Sequence, residues 1–320
     1  MIKNNHIKPN SRQLSIEFDA DDDDPQPAAI APAAHDVHDN NARHDLHFVS
    51  FGSGSSGNCA YLGTNKEGIL IDAGVDLNHV FDDLRKNSIK PEMVKGIILT
   101  HDHADHIRYS YQIVRKYKHI HIYCTPRLMN GLLRHHNISR RIKEYQVPIY
   151  IETPFKLAGM QITAFETSHD GADNMGFFIE HGDKKFVVAT DMGVITARAE
   201  HYMQQANYLM IESNYCRVML DEGHYPEYLK NRVRGEKGHL DNVVAAQFVK
   251  DHYHSDLEYV FLCHLSNDNN TPEIALRTMT EALESINLTV GNGSNAIDQR
   301  DKDVQLYALP RYDTSLWFVL

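Results

Sequence analysis

The stretch Thr100-His101-Asp102-His103-Ala104-Asp105-His106 follows directly on the apolar run Gly96-Ile97-Ile98-Leu99. A short apolar run of this kind reads as a buried strand. Three histidines and two aspartates therefore crowd into six residues where that strand ends, and one sheet edge receives them all. Imidazole nitrogen and carboxylate oxygen both suit a divalent cation such as Zn²⁺, and a neutral imidazole binds it without a protonation cost near neutral pH. With 21 histidines in the chain, incidental pairs are expected. His119 with His121, His135 with His136, and His252 with His254 read as such pairs. A His-x-His-x-Asp-His run at a strand end is far more specific, and it predicts a metal site.

Around that run the pattern is rich in strands. Strands are predicted over residues 47–51, 59–62, 68–71, 96–100, 119–124, 160–165, 176–181, 185–189, 208–211, 257–263, 304–308 and 316–320. Thr64-Asn65-Lys66-Glu67 supplies one turn, and Gly182-Asp183 closes a hairpin. Helical spacing is found over 75–86, 107–118, 242–252 and 272–283. Helices interspersed among two sets of strands predict an α+β fold, an αββα sandwich of two mixed sheets with helices on the outer faces.

Residues 1–45 read differently. They combine an Asp run, Asp21 to Asp24, with Pro25, Pro27 and Pro32, and lack the apolar periodicity that would offset their ordering entropy. They are expected to form a disordered acidic tail, with 46–320 as a single domain free of internal repeats. The tail holds nine acids against four bases, so nearly half of the formal net charge of −11 lies there. That charge argues against a generally basic nucleic-acid binder, but two bound dications would offset most of the remainder. No apolar stretch is long enough to span a membrane, and no export signal opens the chain. Cys59, Cys124, Cys216 and Cys263 are scattered, as in a reduced cytoplasmic protein.

The histidine run resembles the signature of the metallo-β-lactamase superfamily, and the superfamily's other ligand motifs follow in order. Asp72 stands in Leu70-Ile71-Asp72-Ala73-Gly74, His169 in Thr167-Ser168-His169, Asp191 in Ala189-Thr190-Asp191, and His264 in Phe261-Leu262-Cys263-His264-Leu265. The resemblance implies His101, His103 and His169 on one metal, Asp105, His106 and His264 on a second, and Asp191 bridging both. Asp72 would hold the ligand loop without touching metal. A carboxylate suits the bridge, because its charge offsets the repulsion of two cations. The implied chemistry is attack by a metal-bridging hydroxide. Zn²⁺ is the expected metal, with Mn²⁺ the alternative. True lactamases commonly carry cysteine where this chain has Asp191, so antibiotic hydrolysis is not expected.

Several segments narrow the resemblance to the single-domain WalJ/YycJ-like branch, related to nucleases. These are Phe51-Gly52-Ser53-Gly54-Ser55-Ser56-Gly57-Asn58, Ile211-Glu212-Ser213-Asn214, Lys237-Gly238-His239-Leu240-Asp241-Asn242 and His264-Leu265-Ser266-Asn267-Asp268-Asn269-Asn270-Thr271-Pro272. Serine is more usual in the branch where Asp241 stands. The 72 residues between Asp191 and His264 are too few for the inserted domain of the β-CASP nucleases. Membership implies a 5′-to-3′ DNA exonuclease or a related phosphodiesterase, with DNA favoured over RNA as partner. Asp105 and His239 are the candidate catalytic residues, Asp105 orienting the nucleophile and His239 assisting the leaving oxygen. Ser55, Ser56, Asn58, Asn214, Arg234 and Lys237 are candidate substrate contacts. Two readings stand for the Gly/Ser loop: a flexible turn, or a backbone that approaches phosphate. The basic residues Lys230, Arg232, Arg234 and Lys237 are either a solvated face or phosphate contacts. A thioester or lactone hydrolase of the glyoxalase-II type is the alternative function, and a metal-bound regulatory module a third.

Overall fold

The computed structural model describes residues 46–294, 296, 299 and 301–320. The acidic segment 1–45 lies outside them. One sheet holds β1 (His47–Gly52), β2 (Cys59–Gly63), β3 (Gly68–Ile71), β4 (Val94–Ile98), β5 (His121–Cys124) and β6 (Gln146–Pro148) in that order. The second holds β7 (Phe155–Leu157), β8 (Met160–Glu166), β9 (Met175–His181), β10 (Lys184–Ala189), β11 (Tyr208–Glu212) and β12 (Tyr259–Cys263), followed by β14 (Val304–Ala308) and, at the edge, β13 (Val290–Gly291). The final strand, β15 (Phe318–Val319), returns to the first sheet beside β1. Both sheets are mixed: β3 to β6 run parallel beside antiparallel β1 and β2, and β10, β11, β12 and β14 run parallel beside antiparallel β7 to β9.

The alternation of side chains decides which face of the second sheet meets what. Phe186, Val188, Met210 and Phe261 join the core shared with the first sheet. Their neighbours Val187, Ala189, Leu209, Ile211, Val260 and Leu262 pack instead against α5 (Ala197–Met203), α8 (Asn242–Asp251) and α9 (Pro272–Glu284). Strands buried on both faces must be apolar at every position, which is why these runs read as continuous rather than alternating. Between the sheets Phe48 stacks on Phe186 and Phe261 at 4.9 and 4.7 Å between ring centroids. Each such ring contributes about 1.5–3 kcal/mol by burial. On the first sheet's outer face lie α1 (Leu77–Lys86), α3 (Ser110–Lys116) and α4 (Pro126–His135), through Val80, Phe81, Leu84, Ile113, Val114, Leu128 and Leu132. The αββα sandwich expected from the sequence is the fold observed.

Differences lie at the ends and between the strands. The helix expected over 107–118 is two pieces, α2 (Ala104–Ile107) and α3, broken at Arg108 and Tyr109. The backbone carbonyls that would continue it are used elsewhere: Asp105 accepts from Asn58 N–H at 2.8 Å and His106 from Ala73 N–H at 2.7 Å. Tyr109 N–H donates to Ala73 instead, at 2.8 Å. Gly74 permits this docking, because a Cβ there would stand 1.5 Å from the Asp105 carbonyl oxygen. The sequence pattern also passes over α4, α5, α6 (Arg217–Glu222) and α7 (Glu227–Arg234). The hairpin at Gly182-Asp183 forms as expected, with His181 paired to Lys184 and Gly182 at φ 62°. Among the described residues no helix is long and apolar enough to cross a membrane, and the four cysteines are free.

Candidate metal centre

The carboxyl ends of β3, β4, β8, β10, β11 and β12 meet at one edge of the sandwich, where ligands of open parallel sheets commonly bind. Asp72 and His264 follow directly on a strand and Asp191 one residue later, and each has a positive φ, of 61°, 54° and 49° in that order. That turn of the backbone is what swings the side chain out of the strand's alternation and toward the shared edge. Strained backbone of this kind persists only where partners hold it.

The partners are plain at Asp72. Its carboxylate accepts from Thr100 N–H at 2.8 Å and Thr100 Oγ1 at 2.9 Å, and from His106 Nδ1 at 2.7 Å. A proton on His106 Nδ1 leaves Nε2 bare, and it lies 3.3 Å from Asp191 Oδ2 and 3.5 Å from Asp105 Oδ2. His169 Nδ1–H donates to the Gly238 carbonyl at 2.8 Å, which again turns Nε2 inward, 3.3 Å from His103 Nδ1. Asp191 Oδ1 is 3.8 Å from His169 Nε2 and 3.3 Å from His264 Nδ1. The structure thus brings all seven expected ligand residues together. Six of them fall into two groups: His101, His103 and His169, and Asp105, His106 and His264. Asp191 lies within reach of both His101 and His106.

The donor set fits divalent cations. His101 Nε2 is buried and has no hydrogen-bond partner, a costly arrangement unless a cation takes its lone pair. Burial pushes His101, His103 and His169 below the usual imidazole range, so these nitrogens are bare near neutrality. On the other side burial opposes charge, but Asp191, Asp72 and Asp105 outweigh it and lift His106 to about 9. Burial likewise opposes ionisation of Asp105, yet His106 and His264 bring it down to about 2. Asp191 lies well below the ordinary carboxylate range against burial, through His264, His106 and His101.

One central residue was not singled out from the sequence. Glu212, the last residue of β11, has no exposed surface and accepts four hydrogen bonds. Oε1 accepts from His239 Nδ1 at 2.7 Å and His264 Nδ1 at 3.1 Å; Oε2 accepts from Met192 N–H at 2.8 Å and Leu240 N–H at 3.1 Å. A signal existed: like Asp72 and Asp191, it is an acid closing an apolar run. His239 itself sits between the two groups, its ring 5.0 Å from that of His169 and 5.3 Å from that of His264.

The expected substrate contacts are placed unevenly. Asn58 is buried, its amide bonded to both backbone groups of Gly54, to Asp105 Oδ2 at 3.2 Å and to His106 Nε2 at 2.9 Å. Asn214 is likewise spent, on the His264 carbonyl at 2.7 Å. Both are thus supports of ligand residues rather than free groups. Arg234 is held by Asp221, Glu227 and Asn231, and Arg232 by Asp170, so this part of the basic segment is an ion-paired face. Lys237 does line a polar groove of about 340 Å³ beside His169, with Arg127 and Arg198. Ser55 is exposed, and Ser56 lines a separate cavity. Of the incidental histidine pairs, His135 proves engaged: its Nδ1 lies 2.9 Å from Asp102, whose other oxygen accepts from Ala172 N–H at 2.7 Å. Asp102 therefore pins the loop that follows His169.

Residues 67–264 match the beta-lactamase superfamily domain. The chain belongs to that superfamily and is a metal-dependent hydrolase of the metallo-β-lactamase fold. It is 30% identical to exodeoxyribonuclease YycJ of Bacillus anthracis over 275 residues, which cover 86% of this chain and 99% of that one. Against exodeoxyribonuclease WalJ of Streptococcus pneumoniae it is 31% identical over 240 residues, 75% of this chain and 88% of that one. The crystal structure of the metallo-β-lactamase fold protein YhfI from Bacillus subtilis shares the fold, with a TM-score of 0.60 at 14% identity over 85% of this chain and 99% of that one.

Proposed function

We propose that this protein is a DNA exonuclease that removes nucleotides in the 5′-to-3′ direction. His101, His103 and His169 would hold one divalent cation, Asp105, His106 and His264 a second, with Asp191 between them. Two cations so held would supply Lewis-acid charge and lower the pKa of a bound water toward neutrality. The histidine-rich set favours Zn²⁺, and Mn²⁺ is the second metal to test.

The observation that carries the reading is His239, a sixth imidazole beside the five expected histidine ligands, fixed by a buried glutamate. With Nδ1–H donating to Glu212 at 2.7 Å, Nε2 faces away from that bond, and in the imidazolium form, with the charge balanced by Glu212, it would pass its proton to a departing alkoxide. Phosphodiester cleavage needs that proton at the leaving sugar oxygen. Asp105, kept ionised by His106 and His264, would orient the attacking water. In the groove Arg127 and Lys237 suit the phosphates of a polyanion, while Arg198 is paired with Glu152 at 2.9 Å.

The test is the metal-loaded protein on duplex and single-stranded DNA labelled at either end, with Zn²⁺ or Mn²⁺ and with chelator. Early release of 5′-labelled nucleotide is expected, abolished by chelation and by His239→Ala. Release from the 3′ label first would overturn the polarity. Thioester turnover exceeding that of DNA would replace the substrate class.

A further inference from the structure

The histidines of the three-imidazole group are held from behind in three different ways. His101 Nδ1 lies 3.0 Å from Thr100 Oγ1, and His169 Nδ1–H donates to the Gly238 carbonyl at 2.8 Å. Both of these rings are buried, so packing restrains them as well. His103 differs. It caps α2 at the rim of the centre, and its side chain is 31% exposed. With Nδ1 facing His169 Nε2 at 3.3 Å, its outer nitrogen is Nε2, and Asp170 Oδ1 lies 3.2 Å from that nitrogen.

Asp170 is itself tied down. Its other oxygen, Oδ2, accepts from Arg232 Nε at 2.9 Å and Nη2 at 2.8 Å. The carboxylate therefore joins a guanidinium of α7 to an imidazole of the metal centre. An ionised carboxylate only accepts, so the proton of the pair sits on His103 Nε2 and leaves Nδ1 bare on the cation's side. A carboxylate behind a metal-binding imidazole fixes both ring and tautomer in this way. The position of Arg232 follows from the docking of the segment after it. Ser168 Oγ donates to the Glu236 carbonyl at 2.8 Å, and His239 N–H to the Val233 carbonyl at 2.9 Å. The fit is close, since a Cβ at Gly193 would stand 2.2 Å from the Gly235 carbonyl oxygen.

We infer that Asp170, clamped by Arg232, is the positioning residue of His103 and sets the cation affinity of the three-histidine group separately from that of the other group. The inference rests on the two-cation reading of the centre. In the other group the carboxylate behind His106 is Asp72, which is buried, whereas the Asp170 side chain is 32% exposed. Salt screens an open pair far more than a buried one, so the two groups should differ in their response to ionic strength.

Metal binding tests this without turnover. Zn²⁺ titrated against a chromophoric chelator is expected to bind wild type in two steps. Asp170→Ala should weaken one step about 10–100-fold and leave the other unchanged. Asp170→Asn, which keeps an oxygen for Nε2–H, should recover part of the loss. Arg232→Gln should weaken the same step by no more than about fivefold, and its difference from wild type should close at about 1 M salt, where screening acts within about 3 Å. Saturating Co²⁺ should give Asp170→Ala the visible spectrum of wild type, because the ligands themselves are intact. Asp170→Ala with wild-type affinity at both steps overturns the inference. Loss at both steps together with a lower Tm of the metal-free protein assigns Asp170 to folding alone and overturns it as well. An altered Co²⁺ spectrum would make Asp170 a ligand rather than a support, with the same result. Wild type that binds one cation or none sinks the two-cation reading, and the inference with it.

Discussion

Glu212→Gln should separate the orientation of the histidines from their mere presence. The glutamate accepts four N–H groups with two oxygens, while a glutamine of the same shape accepts at one oxygen only. If the amide carbonyl faces His239 and His264, its NH₂ meets the N–H groups of Met192 and Leu240, and both lose an acceptor. Each buried unsatisfied donor costs about 1–3 kcal/mol, so this arrangement destabilises the fold by roughly 2–6 kcal/mol. If the NH₂ faces the imidazoles instead, each Nδ1 must become an acceptor and the proton moves to Nε2. On His264 that is the nitrogen 3.4 Å from Asp105 Oδ2, the one that must be bare to bind a cation. Loss of such an orienting partner typically costs about 10–100-fold in metal affinity. The cheaper arrangement will dominate, and two measurements distinguish them. Calorimetry of chelator-treated protein reads the first, at about 2–4 °C of Tm per kcal/mol. Competition against a chromophoric chelator reads the second. Glu212→Gln with both wild-type Tm and wild-type metal affinity would refute the assigned hydrogen bonds.

Metal removal should lower Tm. Saturating chelator on protein held at about a hundred times its metal Kd removes about 2.7 kcal/mol, or roughly 5–10 °C, and unchanged melting would deny a native metal site. Gly74→Ala sets a methyl 1.5 Å from the Asp105 carbonyl oxygen, so Asp105 must shift. The expected results are at least about 1–3 kcal/mol of overpacking and a deficit in metal per folded protein, measured by elemental analysis. Asp83 joins α1 to the C-terminal segment, accepting from Lys86 Nζ at 2.7 Å and from Thr314. Burial opposes its charge, but Lys86, Thr314 and His79 hold its pKa below the usual value. Its folded pKa is therefore the lower one, and its contribution is present above about pH 4 and lost as pH falls through the folded value. The Tm difference between wild type and Asp83→Asn should accordingly close between about pH 5 and pH 3, and a gap constant with pH would contradict it.

The sequence carried most of the fold because the central strands are buried on both faces and read as short apolar runs that stop at polar residues. It carried the candidate ligands for a related reason: each lies at, or within a few residues of, the end of such a run, from His101 to His264. What it did not show depends on pairing between distant segments. The break between α2 and α3 follows from Asn58 and Ala73 capturing the carbonyls of Asp105 and His106, and no local periodicity records that. Asn58 and Asn214 carry the polar chemistry of substrate contacts, and only the folded chain shows their amides spent on neighbouring ligands. Helices α6 and α7 are short and bury little, so their apolar stripe is too brief to stand out.

The same geometry concentrates backbone strain at three positions of the site. Asp72, Asp191 and His264 sit in left-handed backbone, at about 1–3 kcal/mol each. Aspartate accepts that conformation more readily than most residues, since its short side chain can bond locally, and histidine too is found there more often than the average residue. At His264 the strain is held by its N–H bonded to Ser53 Oγ at 2.9 Å, its carbonyl bonded to Asn214, and its ring bonded to Glu212. Ser53 belongs to the Gly/Ser loop of the first sheet, and Asn214 and Glu212 to the second. The strained residue is therefore fixed only when both sheets are in place. A cation that takes His264 together with Asp105 and His106 adds a further bond between the same two halves. Folding of the strand ends and binding of metal would in this way be one cooperative event, and loosening any of the three holds on His264 is expected to weaken both.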